Sequence, residues 1–219
     1  MKRSVFLPLV LAAIVLWLPA PATAEGVVAL KSVTGALVVW DVPDCRFTVE
    51  IPGDSVKAMD NPDNFFLNVG GIVFQIQTTT AAEVLGKKAA NVAPKELLQA
   101  HRDWEEKYIE KLTKSDLTIE SEFVSLRDGT NALSWSYAMP KGVDTQISRQ
   151  IYLTRVASGH VIVLNAAVPK KMKPETVSKS LVAAANSFVA YKKPIDLKKI
   201  QESLREAGGS GKKNGVRSQ

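Results

Sequence analysis

Alternation of apolar and polar side chains at every second position is the feature that most restricts how this chain folds. Phe47, Val49 and Ile51, for example, alternate with charged or hydroxyl side chains. This period is typical of a strand with one buried face and one wetter face. The runs that show it are residues 46–51, 72–77, 117–123 and 133–137, and residues 37–42 are a candidate for one more strand. Two further runs, 146–156 and 160–168, are more continuously apolar, which predicts strands at the centre of a sheet.

Short turn motifs between the later runs predict antiparallel pairing. Asp128-Gly129 and Ser158-Gly159 each separate two strand-like runs, and Pro140-Lys141-Gly142 lies between the middle pair. Dipeptides of this kind are strong signals for tight hairpins. The sequence therefore predicts a meander of strands over residues 117–168.

Two longer segments change to the helical period. Residues 94–113 and 174–191 each carry one apolar stripe, and each begins with a proline, which suits the first helical turn. A shorter helix is predicted at Thr80, which forms a capping-box pattern with Glu83. The order of elements predicts an α+β fold: a mostly antiparallel sheet of about six or seven strands, packed by two main amphipathic helices on its apolar face.

The N-terminus has the layout of a secretory signal peptide. Lys2 and Arg3 precede an apolar run from Val5 to Leu18, and small residues at Ala22 and Ala24 form an A-x-A site. The run is shorter than the roughly 20 residues of a membrane-spanning helix, so cleavage after Ala24 is favoured over an anchor. We expect a signal peptide over 1–24, a single domain over 25–191, and a periplasmic or secreted mature protein.

The chain resembles the Mog1/PsbP-like fold over residues 37–191. The similarity lies in the opening Phe47-x-Val49-x-Ile51-Pro52, the helix after an early hairpin, the long meander, and a last helix that ends at Ser187-Phe188. Gly53 follows the Ile-Pro pair, where the family commonly has an aromatic residue. The resemblance implies a sandwich of this type and a non-enzymatic binding or accessory module, with no catalytic motif to transfer.

Residues 192–219 hold eight basic and three acidic side chains, so most of the net charge of +6 belongs to this tail. An amphipathic helix is predicted over 194–207, ended by the run Gly208-Gly209-Ser210-Gly211 and followed by a disordered end. A basic tail of this kind is a candidate for binding an anionic surface. The residues concerned are Lys192, Lys193, Lys198, Lys199, Arg205, Lys212 and Lys213.

The polar side of the predicted sheet is a candidate surface for a protein partner. If the helices cover only the apolar side, the opposite side is left open. The residues predicted there are Arg46, Glu50, Gln75, Gln77, Glu120 and Glu122.

Residue types that carry chemistry are scarce. The histidines His101 and His160 are predicted at a helix edge and beside a turn, and share no ligand spacing with Cys45. A single cysteine excludes an intramolecular disulfide. The chain has neither the G-x-S-x-G elbow of hydrolases nor a phosphate-binding loop. The oxygen-rich loop over 54–64 lacks the order of a calcium loop and fits turn chemistry better. We therefore predict no catalytic, cofactor-binding or metal-ligating residues.

Three functional hypotheses follow. The first is an exported, non-catalytic accessory protein that binds another extracytoplasmic or envelope protein through its domain surface. The second is a peripheral binder of anionic membranes or other polyanions through the tail, and the third is an unrecognised hydrolase. No nucleic-acid partner is expected, and the sequence leaves the oligomeric state open.

Overall fold

A computed structural model describes residues 26–59 and 64–210, with side chains as far as Gly208. The described residues do not include the predicted signal peptide, residues 1–24. They also exclude residues 60–63 of the loop over 54–64, and the predicted disordered end beyond Ser210. Eleven strands, four α-helices and one short 3-10 helix, Gly86–Ala89, form the described part. The strands are β1 (Val27–Lys31), β2 (Gly35–Val42), β3 (Cys45–Pro52), β4 (Val56–Met59), β5 (Phe65–Val69), β6 (Ile72–Thr80), β7 (Glu120–Ser125), β8 (Asn131–Ala138), β9 (Ile147–Ala157), β10 (His160–Pro169) and β11 (Val189–Tyr191). The helices are α1 (Ala81–Leu85), α2 (Pro94–Thr113), α3 (Pro174–Asn186) and α4 (Leu197–Ser210).

The strands form two antiparallel sheets. The small sheet has the order β1-β2-β3-β11, and the large sheet has the order β4-β5-β6-β10-β9-β8-β7. The α+β class and the meander from β7 to β10 are therefore confirmed, and β10 is the middle strand of the large sheet, as its apolar run predicted. The predicted sheet of about six or seven strands is the large sheet, which has seven. The sequence analysis did not separate the small sheet from it: β1, β2, β3 and β11 pair with one another rather than with the meander.

The hairpins form at the predicted turns. Ser158 and Gly159 both have positive φ values, 50° and 76°, between β9 and β10. Two successive positive values are the requirement of the tight turn that matches the twist of paired strands. The turn between β7 and β8 is longer, and in it Gly129 alone has a positive φ, 80°. Local turn chemistry thus sets the register of the meander.

The two main helices cover opposite faces of the large sheet. On one face, α3 lies in the core between the sheets, where Val177 and Leu181 are buried with Phe47 and Phe74. On the other face, Leu97, Leu98 and Ile109 of α2 form a second core with β8, β9 and β10. The expectation of a single apolar face is therefore wrong. The central strands carry apolar side chains on both faces of the large sheet, because one face packs against α3 and the small sheet and the other packs against α2.

The chain after α3 differs from its predicted form. The predicted helix over 174–191 ends at Asn186, and residues 189–191 pair with β3 as β11 instead. Ser187 donates from its hydroxyl to the carbonyl of Glu50, which fixes the end of α3 against β3. In contrast, α4 continues to Ser210, through glycines predicted to end it. Glycine weakens a helix but does not forbid one.

The short helix α1 confirms the predicted capping box. The side chain of Thr80 accepts a hydrogen bond from the Glu83 backbone N–H, and Glu83 Oε2 accepts one from the Thr80 backbone N–H at 2.6 Å. Within residues 26–59 and 64–210, no helix has the length and hydropathy to cross a membrane.

Candidate functional site

The six residues predicted to form one polar sheet face lie on three different surfaces. Arg46 and Glu50 belong to the small sheet and point away from the core, because Phe47 and Val49, which alternate with them in β3, belong to the core. Gln75 and Gln77 lie on the face of the large sheet that α2 covers. Glu120 and Glu122 lie on the opposite face, at the end of the large sheet. The predicted alternation of side chains within each strand was correct. Which face of the sheet each pair of residues occupies is decided by the register between strands.

The two charged residues of the small sheet serve its own structure. Glu50 accepts hydrogen bonds from the hydroxyls of Ser32 and Thr34, and so holds the turn between β1 and β2. Arg46 Nε donates to Asp41 Oδ1 at 2.8 Å on the neighbouring strand. These contacts give both residues a structural explanation without a partner.

Gln75 belongs to a row of side-chain amides that crosses the large sheet. Its Nε2 donates to Asn64 Oδ1 at 3.0 Å, and its Oε1 accepts from Asn165 Nδ2 at 2.8 Å. Asn165 Oδ1 in turn accepts from Gln150 Nε2 at 2.9 Å. Gln75 and Asn165 are buried, so these hydrogen bonds satisfy polar groups that cannot reach water.

Strand β7 forms the most open part of the predicted face. Five of its six side chains are exposed and Val124 is half-buried. Glu120 is held by Arg149, whose Nη2 donates to Glu120 Oε1 at 3.0 Å while Nη1 donates to the other carboxylate oxygen. These hydrogen bonds, and then the charge of Arg149, lower the pKa of Glu120 below its ordinary value. Glu122 is the next residue of β7 on the same face, and it pairs with Ser134 of β8.

The other face of β7 is lined by basic residues from α2. Lys95 Nζ lies 5.2 Å from the ring centroid of Phe123, at the distance of a cation–π contact. Arg102 Nη1 donates to Ser121 Oγ at 3.2 Å. Phe123 itself is 36% exposed, about as much as Met59 and Tyr191 on two other edge strands. We call the exposed strand and these flanking charges the β7 surface: Lys95, Arg102, Glu120, Ser121, Glu122, Phe123 and Ser125.

The basic tail residues within the described chain are exposed. Those concerned are Lys192, Lys193, Lys198, Lys199 and Arg205; Lys212 and Lys213 lie outside the described residues. Lys199 Nζ lies 3.7 Å from Asp196 Oδ2. Ile200 and Leu204 of α4 are half-buried. Because Glu202 and Glu206 share the helix with the basic residues, its charge is mixed rather than purely cationic.

A buried acid–base pair lies under α2, where the sequence analysis did not expect it. His101 is fully buried, so its predicted position at a helix edge is wrong. Its Nε2 lies 3.7 Å from Glu105 Oε1, beyond hydrogen-bond distance, and neither ring nitrogen has a hydrogen-bond partner. His101 and Glu105 continue the stripe of Leu98 and Ile109. That helical spacing was the available signal for their burial.

A cluster of aromatic side chains lies on the sheet near the pair, and two of its members, Tyr137 and Tyr152, interact electrostatically with Glu105. Trp135 stacks on Tyr152 with ring centroids 3.8 Å apart, and Tyr137 lies beside both. Desolvation lowers the pKa of His101 to about 4 and raises the pKa of Glu105 to about 7. Desolvation also raises the pKa of Tyr137 to about 12. Between about pH 4 and pH 7 the structure thus favours a neutral imidazole beside a protonated carboxyl, both of them buried.

Other combinations of reactive residues are not brought together. His160 Nδ1 lies 2.9 Å from the Ser158 backbone oxygen, a contact within one turn rather than with a hydroxyl. Cys45 is buried, and desolvation raises the pKa of its thiol to about 11. Among the described residues, no three His, Cys, Asp or Glu side chains cluster in a way that would hold a metal ion.

Comparisons with known proteins find similarity in structure only. Neither a protein-family model nor a curated protein sequence matches the chain. The chain is similar to the cyanobacterial PsbP of Synechocystis, with 12% identity and a TM-score of 0.49, over 80% of this chain and 99% of that one. It is similar to LpqN, described as involved in cell envelope biogenesis of Mycobacterium tuberculosis, with 13% identity and a TM-score of 0.36, over 75% and 82% of the two chains. A Bacteroides thetaiotaomicron structure gives 12% identity and a TM-score of 0.35, over 87% of this chain and 64% of that one. PsbP is thus among the structures the chain is similar to, in keeping with the resemblance seen in the sequence; at these values the similarities carry no activity or partner to this chain.

Proposed function

We propose that this chain is an exported, non-catalytic accessory protein that binds another extracytoplasmic protein through the surface of its folded domain. The observation that carries the proposal is the β7 surface, where an edge strand leaves Phe123 and Glu122 exposed. An unpaired strand edge can receive a strand from a partner, and an exposed ring beside it supplies apolar contact area. Export rests on the N-terminal sequence pattern, and it restricts the partner to the same compartment.

A second candidate is binding of anionic membranes or other polyanions through the tail. The observation that favours it is the exposure of all five described basic tail residues. The interleaved Asp196, Glu202 and Glu206 weaken the attraction of this segment for an anionic surface. We therefore place it second.

The test is affinity capture from the extracytoplasmic fraction of the host, with the full mature chain as bait. A second bait carries glutamine at the seven candidate positions of the tail, which are Lys192, Lys193, Lys198, Lys199, Arg205, Lys212 and Lys213. Captures are repeated at low and high salt. We expect the same partner on both baits and at both salt concentrations, because contacts made by the domain do not depend on the tail charges. Loss of that partner when the tail is neutralised would favour the second candidate and contradict the first.

A further inference from the structure

We propose that the β7 surface binds its partner by strand addition: an extended segment of the partner pairs with the open edge of β7. The segment carries basic residues on the face of Glu122 and uncharged, mainly apolar residues on the face of Phe123. This inference rests on the proposed function and specifies how the partner is held. Each step follows from the described residues of the large sheet.

The first step is that β7 has one unpaired edge. It is the last strand of the large sheet and pairs with β8 alone among the described strands. The Leu126 backbone N–H donates to the Thr130 carbonyl at 2.9 Å, which fixes the phase of the hydrogen-bond ladder. In an antiparallel ladder, every second residue exchanges backbone hydrogen bonds with its partner. Leu126 belongs to this set, so Val124, Glu122 and Glu120, at two, four and six positions before it, also bond to β8. The backbone N–H and C=O groups of Ser121, Phe123 and Ser125 therefore point to the open edge.

The second step is that charge is the main protection that β7 has as an edge strand. Edge strands are commonly very short, interrupted by a proline or a bulge, or lined by charged side chains. At the outer edges of the two sheets, β4 has four residues, β11 has three and β1 has five, whereas β7 has six. It contains no proline, and its register with β8 is continuous from Glu120 to Ser125. An edge of this length offers three outward N–H groups and three outward carbonyls to an added strand.

The third step is that the two faces of β7 have different charge. Glu120 and Glu122 lie on one face, and Lys95 and Arg102 from α2 lie against the other. Three of these charges already have partners: Arg149 neutralises Glu120, Arg102 is paired with Asp103, and Lys95 lies over the Phe123 ring. Glu122 is therefore the charged group left to attract an added strand. Directly opposed residues of adjacent strands share a face, and opposite charges there are stabilising. The complementary strand is therefore basic on the Glu122 face and uncharged on the Phe123 face.

A second copy of this chain is a poorer occupant. Pairing of two β7 strands about a two-fold axis normal to the sheet would place Glu120 and Glu122 of both copies on one face. Like charges on neighbouring positions of paired strands are destabilising. The charge of β7 thus favours a segment from a different protein.

The test uses the full mature chain and two labelled synthetic peptides of about nine residues, one alternating lysine with valine and one alternating glutamate with valine. Binding is measured by fluorescence anisotropy, and backbone amide exchange is measured with and without peptide. We expect the lysine peptide to bind at least about tenfold more tightly than the glutamate peptide. We also expect it to slow exchange at Ser121, Phe123 and Ser125, the three outward amides. Equal binding of the two peptides, or slowed exchange at β4 instead, would overturn the proposal.

Two variants and a matched control complete the test. Ser121→Pro removes one outward N–H without breaking a bond to β8, since proline is tolerated at such edge positions, and we expect at least about tenfold weaker binding. Ala58→Pro is the control: the Gly70 N–H donates to the Ser55 carbonyl, so Ala58 also points outward, but on the distant edge strand β4. Its binding should equal that of the unaltered chain. Glu122→Lys keeps the backbone intact and should reverse the preference to the glutamate peptide, even if Ser121→Pro unfolds the strand.

The outcomes separate this inference from the proposed function. If affinity capture succeeds with the unaltered chain but Ser121→Pro captures the same partner undiminished, strand addition is wrong and the proposed function stands. If no partner depends on the domain in either bait, the proposed function itself fails. If sedimentation shows a dimer of the unaltered chain that Ser121→Pro abolishes, the occupant is a second copy and the proposal is wrong.

Discussion

Replacing Glu105 by glutamine should add a pH dependence to the stability of this protein between pH 4.5 and 6.5, where the His101–Glu105 pair of the unaltered chain contributes none. In the folded chain, burial raises the pKa of Glu105 from 4.5 to about 7 and lowers that of His101 from 6.5 to about 4. Between pH 4.5 and 6.5 the folded pair holds one proton, on Glu105, and the unfolded pair also holds one, on His101. Since stability changes with pH only when the two states bind different numbers of protons, the pair contributes no slope in this range.

The Glu105→Gln variant removes that cancellation. His101 alone then binds a proton in the unfolded chain below pH 6.5, but in the folded chain only below about pH 4. The contribution of the neutral, buried His101 to the free energy of unfolding is therefore fully present above pH 6.5 and is lost as the pH falls towards 4. At about 1.4 kcal/mol for each pH unit, the loss is about 3 kcal/mol over this window. The other titratable groups that interact with Glu105 are Tyr108, Tyr137 and Tyr152. Each has a raised pKa, so all three stay protonated between pH 4 and 7.

The assay is urea unfolding followed by tryptophan fluorescence at pH 7.0, 6.0 and 5.0, with Glu106→Gln as the control. The control removes a neighbouring carboxyl that is not buried. Any change of stability with pH that the unaltered chain, Glu105→Gln and Glu106→Gln share is therefore not due to Glu105. The reverse variant, His101→Gln, should show the opposite slope, because Glu105 alone stabilises the fold below pH 4.5 and loses this contribution as the pH rises to about 7. Parallel curves for the unaltered chain and Glu105→Gln would refute the reasoning.

Three further predictions test the fold. Gly35→Ala should destabilise the protein by roughly 3 kcal/mol or more, because a Cβ there would lie 2.0 Å from the Ile51 backbone oxygen; unchanged urea unfolding would contradict this packing. Arg155→Met should cost about 1–3 kcal/mol, since the buried guanidinium donates to Asp128 at 2.6 Å and to a carbonyl of α3; a neutral result in thermal unfolding would show that these bonds do not hold the hairpin to α3. Cys45 should react with a thiol reagent only as fast as the protein unfolds, because it is buried and its pKa is raised to about 11; rapid labelling of the folded chain would show that β3 is open there.

Several elements were predictable because their signals are local. The capping box of Thr80 and Glu83, the tight turn at Ser158 and the proline at the start of α2 each depend on residues only a few positions apart. The strands β1, β4 and β5 were not assigned from the sequence. They are short, four or five residues each, and such segments show too few turns of the period to be distinguished from loops.

The candidate site was predictable only in part. The sequence singled out Glu120 and Glu122 correctly as polar residues of a strand, but not Phe123, which it placed on the apolar side. The exposure of Phe123 follows from the position of β7 at the end of the large sheet. A strand with the same sequence at the centre would bury this ring between neighbours on both sides.

The sequence by itself determined the secondary structure of most segments, the meander and the α+β class, because periodicity and turn chemistry act over a few residues. Only the tertiary structure decided the division into two sheets, the opposite placement of α2 and α3, and the burial of His101 with Glu105. These depend on register and on contacts between distant residues, such as the Glu50 backbone N–H that donates to Ser187 Oγ across 137 positions. A local pattern fixes how a strand alternates, whereas the face it presents is chosen by the strands and helices that pack against it.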